Sequence, residues 1–468
     1  MVLTENINTK WLTQITGDPF TDIGGYVIAY FQERYPDKSI FDLIKMATDI
    51  YVKDWDNNLH SFFLNSTITH NSCKGQKGID KTLEYFSNLL EDKGSTEYGY
   101  CRITGQKTNL FFAGRENFMM AGSGTFINFH HGFQQGILLS KEVIIRIFFS
   151  PLGLIQLSNN VALIQSNNRE VNQYFVNENI KSTFKDLASR QSKSIQRSVF
   201  SNPANALFDF AGKCISDLKI VANDDYEKSK EQGVTLNLYH FTSFGAKPDI
   251  QLYALPAIVF KFYQYCLRPD YKQEWKKFIN HHYRNYKFKD ANYNDETNEW
   301  ISSKESVTYD EFKTWRNIIY DKLLKGESIL SLILSWSRKN KFNFNLVIIY
   351  QQSIRNMDKK TLEKINELAD FIIKDNDSIK KNVTRLNGIK SSTGIRQFLI
   401  TLISKNYKEG NKKPLITLEE YVEYLFPDGS YWRDIRDLLL IAIFQKLHEA
   451  NIALEIELSE QEQDTETE

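Results

Sequence analysis

The stretch CRITGQKTNLFFAGRENFMMAGSGTFINFHHGFQQGILLSKEVIIRIFFSPLG, residues 101–153, changes the character of the chain. Its opening has the frame of a zinc knuckle: Cys101, a turn at Gly105, and Thr104 where a second cysteine would complete C-x-x-C. No second cysteine pair follows. A four-ligand zinc site needs four Cys or His side chains at tetrahedral reach, so the frame stands here without its ligands.

Working outward, residues 98–165 read as short strands separated by Gly, Asn and Ser turns: YCRI, TNLFFAG, TFINFH, GLIQL and VALIQS. SNN at 158–160 closes a hairpin, and a helix at about 140–149 interrupts the strands. Upstream the chain is helical. Phe20, Ile23, Val27 and Phe31 recur at helical spacing and stop before Pro36. Ser39 and Asp42 start a second helix running to Trp55, and a third covers 79–92. Downstream, 168–220 reads as helix. TLNLYHF and DIQLYAL flank the turn TSFGAKP, and Pro256 opens another helix. After about residue 300 apolar residues recur every three or four positions. The expected fold is α+β: a mixed N-terminal body over 1–345 with short antiparallel strands and a zinc-ribbon-like relic, then an α-helical bundle over 346–450. Residues 451–468 carry seven acidic side chains and no basic one, an acidic disordered tail.

Composition excludes little. The 468 residues are 41% hydrophobic and 13% aromatic with zero formal net charge, enough for a sizeable core. Charge is segregated: between Lys374 and Lys413 ten Lys/Arg face three Asp/Glu. Such a region suits nucleic acid, or is an ordinary solvated helix surface. Four scattered cysteines, an N-terminus without a signal-peptide pattern and apolar runs too short to span a bilayer lead us to expect a cytoplasmic protein. Enzyme signatures are missing: no phosphate loop, no G-x-G-x-x-G after a strand, no H-E-x-x-H. Asp224–Asp225 has no partner carboxylates at a two-metal spacing. In His130–His131 and His281–His282 the adjacent side chains diverge, which disfavours one shared metal. No catalytic residue is expected.

The order of several patches resembles one family. TGDPFTDIGGYV near the N-terminus precedes the Cys101 turn, then FINFHHGFQQGILLS, FFSPLG, FTSFGAKPDIQLYALP and YWRDIRDLLLIAIF. In that order they are similar to the large subunit of type I-B CRISPR surveillance complexes (Cascade), in the branch with a CXXC–CXXC motif. On this resemblance Cys101 is the first cysteine, Thr104 replaces its partner, Asn128 and Phe129 match an N-F segment, and Pro151–Gly153 match the end. The second pair would fall within GILLSKEV, which has no cysteine. The implied zinc is therefore expected to be lost, leaving no cofactor. Phe111, Phe112, Phe118, Phe126 and Phe129 are expected to staple the element instead, and Cys101 can equally be read as a buried strand residue.

The resemblance implies a non-catalytic binding protein. It reads the PAM in double-stranded target DNA, stabilises the R-loop and docks a helicase–nuclease or, in transposon-associated versions, a transposition factor. Its partners are crRNA and the Cascade backbone and crRNA-5'-end subunits. Base-edge reading requires polar side chains on a rigid support, and Gln106, Lys107, Asn109, Arg115, Asn128 and Gln134 are the candidates. For phosphate contacts, Lys181, Lys185, Arg190, Lys193 and Arg197 recur close to one helical face, and Lys276, Lys277 and Arg284 interleave with aromatics. The family's small subunit can be made from an internal start; Met357 is the sole methionine after Met120 and is the candidate start. The competing classes are a nuclease with a scattered site and a stand-alone protein scaffold.

Overall fold

Helix α1 (Pro19–Arg34) begins where its chemistry predicts. Asp18 caps it by accepting from the Thr21 N–H at 2.7 Å, and Pro19 occupies the first turn, where no N–H is needed. In the computed structural model the described residues are 6–59, 62–121, 136–219, 233–244, 248–285, 291–294, 296–297, 299–302, 306–307, 313–426 and 432–452. Helix α2 (Ile40–Asp49) carries the expected capping box of Ser39 and Asp42, continues as a π-helical turn over Ile50–Asp54, and is followed by α3 (Gln76–Leu90). Strands β1 (Glu97–Tyr100), β2 (Lys107–Ala113) and β3 (Ile137–Ser140) form an antiparallel sheet in that order. Helix α4 (Lys141–Phe149) follows directly, capped by Ser140 and buried along its whole length.

Strands β4 (Ile155–Leu157) and β5 (Asn160–Ser166) make the expected hairpin, with Leu157 opposite Asn160. Helix α5 (Arg169–Ala188), β6 (Gln196–Arg197), α6 (Pro203–Asp217), β7 (Leu236–Ser243) and β8 (Asp249–Leu255) follow. The second sheet has the order β6-β4-β5-β7-β8, antiparallel except for the β4–β6 pair. Helix does not run unbroken over 168–220; the segment between α5 and α6 forms a loop and the edge strand β6.

The TGDPFTDIGG segment is a clamp on Arg146, which is 1% exposed. The guanidinium donates through Nε to the Thr21 carbonyl at 3.0 Å and through Nη1 to the Trp11 and Gln14 carbonyls at 3.1 and 2.8 Å. Its Nη2 donates to Asp22 Oδ1 at 2.7 Å. Asp22 also accepts from the Thr16 N–H, the Thr16 hydroxyl and the Gly17 N–H. A buried charge persists only when paired and fully hydrogen-bonded, and both partners here meet that condition. Gly24 is required because a Cβ there would lie 1.7 Å from the Arg146 carbonyl oxygen. The apolar run around Arg146 is therefore a core helix, with the arginine pinning α1 to α4.

The chain packs as two compact units, one of residues 1–257 with 307–316, the other of 258–306 with 317–468. This differs from a boundary at 345/346. The aromatic side chains explain it: Phe262 meets Trp275 and Tyr350 at ring-centroid distances of 5.6 and 5.4 Å, and Phe278 meets Phe342 at 5.1 Å. These contacts draw α7 (Ala257–Cys266) and α8 (Pro269–His281) into one core with the helices that follow. Those helices are α9 (Ile318–Lys325), α10 (Leu330–Ser337), α11 (Phe344–Ser353), α12 (Lys359–Ile373), α13 (Asn376–Asn387), α14 (Ser392–Lys408) and α15 (Trp432–Glu449). Helix α15 is the central one. Leu438 to Phe444 are all buried, and α10, α11, α12, α13 and α14 pack around it. Short strands at 292–294 and 299–301 pair antiparallel where the pattern reads as a passage into helix. Most of the acidic tail, 453–468, lies outside the described residues.

Candidate nucleic-acid interface

The knuckle frame is a six-residue connection from β1 to β2. Gly105, at φ +67°, donates its N–H to the Cys101 carbonyl at 2.8 Å, and Cys101 N–H donates to the Gln106 carbonyl at 2.9 Å. Arg102 N–H ties the turn to the Leu138 carbonyl of β3 at 3.1 Å. Cys101 is 2% exposed, and its Sγ accepts the Ser140 backbone N–H at 3.3 Å. Ser140 lies in the GILLSKEV segment, so a backbone amide meets the sulfur from the side where the resemblance looks for the second cysteine pair. The donor set around this turn does not fit zinc: Thr104 supplies no thiolate, and among the described residues no three metal-ligating side chains cluster. Phe111 and Phe118 are buried as expected of a staple. Phe112 is not part of it: strand alternation turns it to the other face, and it is 39% exposed. Phe126 and Phe129, with His130 and His131, lie outside the described residues.

Lys107 and Asn109 lie on one face of the small sheet. They stand directly opposite Tyr100 and Tyr98, whose rings are open to solvent. Gln106 adjoins them; its Oε1 is buried without a hydrogen-bond partner among the described residues. Arg115 is half-buried beyond β2, away from this pair. Asn128 and Gln134 lie outside the described residues. Sequence reasoning missed Tyr98 and Tyr100; the available signal was the alternation Tyr-Gly-Tyr in an exposed edge strand.

The five candidates at 181–197 do not share a helical face, which corrects the expectation. Helix α5 ends at Ala188, and Arg190 adopts a left-handed conformation at φ +58°. The turn is locked by Gln191 N–H donating to the Asp186 carbonyl at 2.7 Å, and by Trp55 Nε1 donating to Ser192 Oγ at 2.8 Å. Only Lys181 and Lys185 ride on α5. Arg190 and Lys193 lie in the following loop, and Arg197 is on β6. All five are exposed. Lys181 already pairs with Glu178 at 2.9 Å, and this bond raises its pKa.

In the second unit Lys276 and Lys277 are exposed on α8. Arg284 is not a free cation, since its Nη1 donates to the His281 and Tyr283 carbonyls at 2.6 and 3.0 Å. His282 is a core histidine: it is 4% exposed, and its Nδ1–H donates to the Phe278 carbonyl at 2.6 Å. Burial lowers its pKa to about 3, with His281 and Arg284 adding to the effect. Asp224 and Asp225 lie outside the described residues. No helix among the described residues is long and apolar enough to cross a membrane.

The fold class is α+β, ending in a helical bundle. Residues 335–468 match the family model described as the DevT C-terminal domain. The match covers α11 to α15 and the last three residues of α10. No curated protein matches the chain.

Proposed function

We propose that the chain is the non-catalytic large subunit of a crRNA-guided type I-B Cascade complex. In this reading it recognises the PAM in duplex DNA, stabilises the R-loop and docks the downstream effector, without zinc. The observation that carries the reading is the match of its C-terminal helical region to the DevT C-terminal domain. The surfaces support it. Asn109 has the amide chemistry that pairs with adenine edges and Lys107 that of guanine O6 and N7, while the buried Oε1 of Gln106 takes that amide out of this role. The paired strands β1 and β2 supply the rigid support that such reading requires. Arg190, Lys193 and Arg197 in the first unit, and Lys276 and Lys277 in the second, offer exposed charge for phosphates.

The test mixes this chain with its crRNA-bearing neighbour subunits and duplex targets differing only in the flanking trinucleotide. Tight binding to a few flanks, lost when this chain is omitted, is the expected result. Binding indifferent to both the flank and the chain would overturn the proposal in favour of a protein scaffold.

A further inference from the structure

We infer that Tyr98 and Tyr100, with Lys107, form a stacking platform for unpaired nucleotides, a role beyond the base-edge reading proposed for Lys107. The inference rests on the function proposed above, which supplies unpaired strands.

The geometry begins with the pleat. Residues i and i+2 of a strand share a face, so Tyr98 and Tyr100 project together from β1, the edge strand of its sheet. They are 67% and 66% exposed, which is unusual for two large rings side by side. Strand rise sets their attachment points ~6.7 Å apart, close to twice the ~3.4 Å between stacked bases. Each exposed ring offers a face on which a base can stack. The hydroxyls account for solubility in the free protein, while the ring faces remain available.

Charge then selects the ligand. Lys107 Nζ lies 5.6 Å from the Tyr98 ring centroid and 5.8 Å from that of Tyr100, within cation–π range of both. The ammonium orders the rings and places positive charge beside them, where a phosphate would run if a base entered. The carboxylate of β1, Glu97, alternates to the opposite face with Gly99. Aromatic faces plus a cation match single-stranded nucleic acid, whose bases offer π-faces that a duplex hides within its stack.

The test uses the full chain and fluorescent single strands of about 12 nucleotides, a length within known site sizes of ~4–16. Oligo(dT), oligo(rU) and a mixed-sequence duplex are titrated by anisotropy. The double variant Tyr98→Ala/Tyr100→Ala is expected to weaken single-strand binding about 5- to 150-fold, with duplex binding within about twofold of the parent. Tyr98→Phe/Tyr100→Phe keeps the rings and is expected to keep affinity, which separates stacking from hydroxyl chemistry. Lys107→Ala is expected to reduce the salt slope by ~0.7. A larger loss on dT than on rU identifies the displaced DNA strand as the ligand; the reverse identifies crRNA. Unchanged single-strand affinity in the alanine variant, with an unchanged melting profile, overturns this inference while the proposed function stands. Equal losses on duplex and single strand also overturn it. Failure of the parent chain to bind any of the three probes overturns both.

Discussion

Replacing Arg146 with methionine tests whether the TGDPFTDIGG segment is a structural clamp or a functional surface. The substitution keeps an apolar stem of similar length and deletes every guanidinium bond. Asp22, 5% exposed, then holds a buried charge with no cation, and the Thr21, Trp11 and Gln14 carbonyls lose a donor. Breaking a buried pair by removing one partner destabilises by ~3–5 kcal/mol. The three other donors to Asp22, from Thr16 and Gly17, place this case toward the lower end of that range. Adding Asp22→Asn removes the stranded charge, so the double variant should regain ~1–2 kcal/mol of the loss. A lysine at 146 should not rescue, since a single ammonium cannot span acceptors on three sides. Because the chain has two compact units, whole-chain unfolding is not two-state. The proper readout is hydrogen exchange of amides in α1 and α4, which reports local opening free energy. A loss below ~1 kcal/mol in that readout would refute the clamp. So would a variant of parental stability that no longer binds nucleic acid, since the motif would then belong to the interface.

Three further outcomes follow from named groups. His282 is held neutral with a folded pKa of about 3 against an ordinary 6.5. The unfolded chain binds the extra proton between those values, so the second unit's stability is present above pH 6.5 and falls as pH drops, at up to ~1.4 kcal/mol per pH unit. His282→Gln should flatten the pH dependence of exchange in α8, and an unaltered slope would show that another group is responsible. Reversing Arg190 and Lys193 to glutamate should weaken duplex DNA binding and reduce its salt slope by ~1.8. Lys181→Glu should do less, because Glu178 already engages that lysine, and equal effects would refute the distinction. Finally, a fragment starting at Met357 lacks α10 and α11, and so strips Leu330, Ile333, Leu346 and Val347 from the core around α15. At roughly 1.5–3 kcal/mol per buried side chain, that loss approaches a whole domain's ~5–15 kcal/mol. The fragment should self-associate and bind ANS, whereas a monomeric fragment with native-like exchange protection would contradict the packing argument.

What the amino-acid order made legible was local. Ser39 and Asp42 announce a helix start because a capping box needs only residues three apart, and Ser158–Asn159 announce a hairpin for the same reason. The purpose of Asp22 and Gly24 was not legible. Their partner is more than a hundred residues away, and Arg146 reads in isolation as a polar break in VIIRIFF. The basic residues at 181–197 misled for a different reason. Their spacing is helical, but the helix ends through an arginine in the left-handed region, a role usually signalled by glycine. At the candidate interface, the turn chemistry around Cys101 pointed to Lys107 and Asn109, because polar residues after a turn stand out. The tyrosines did not stand out, since an aromatic residue in a strand is ordinarily core. Pairing supplies what was missing: β1 is an edge strand among the described residues, and Tyr98 and Tyr100 stand exposed at its end of a face whose far end, at Phe111 and Ala113, is buried. An aromatic side chain on this one face is thus packing at Phe111 and a binding candidate at Tyr98. What separates them is position: among the described residues β2 is the central strand, paired with β1 and β3, while β1 is paired with β2 alone.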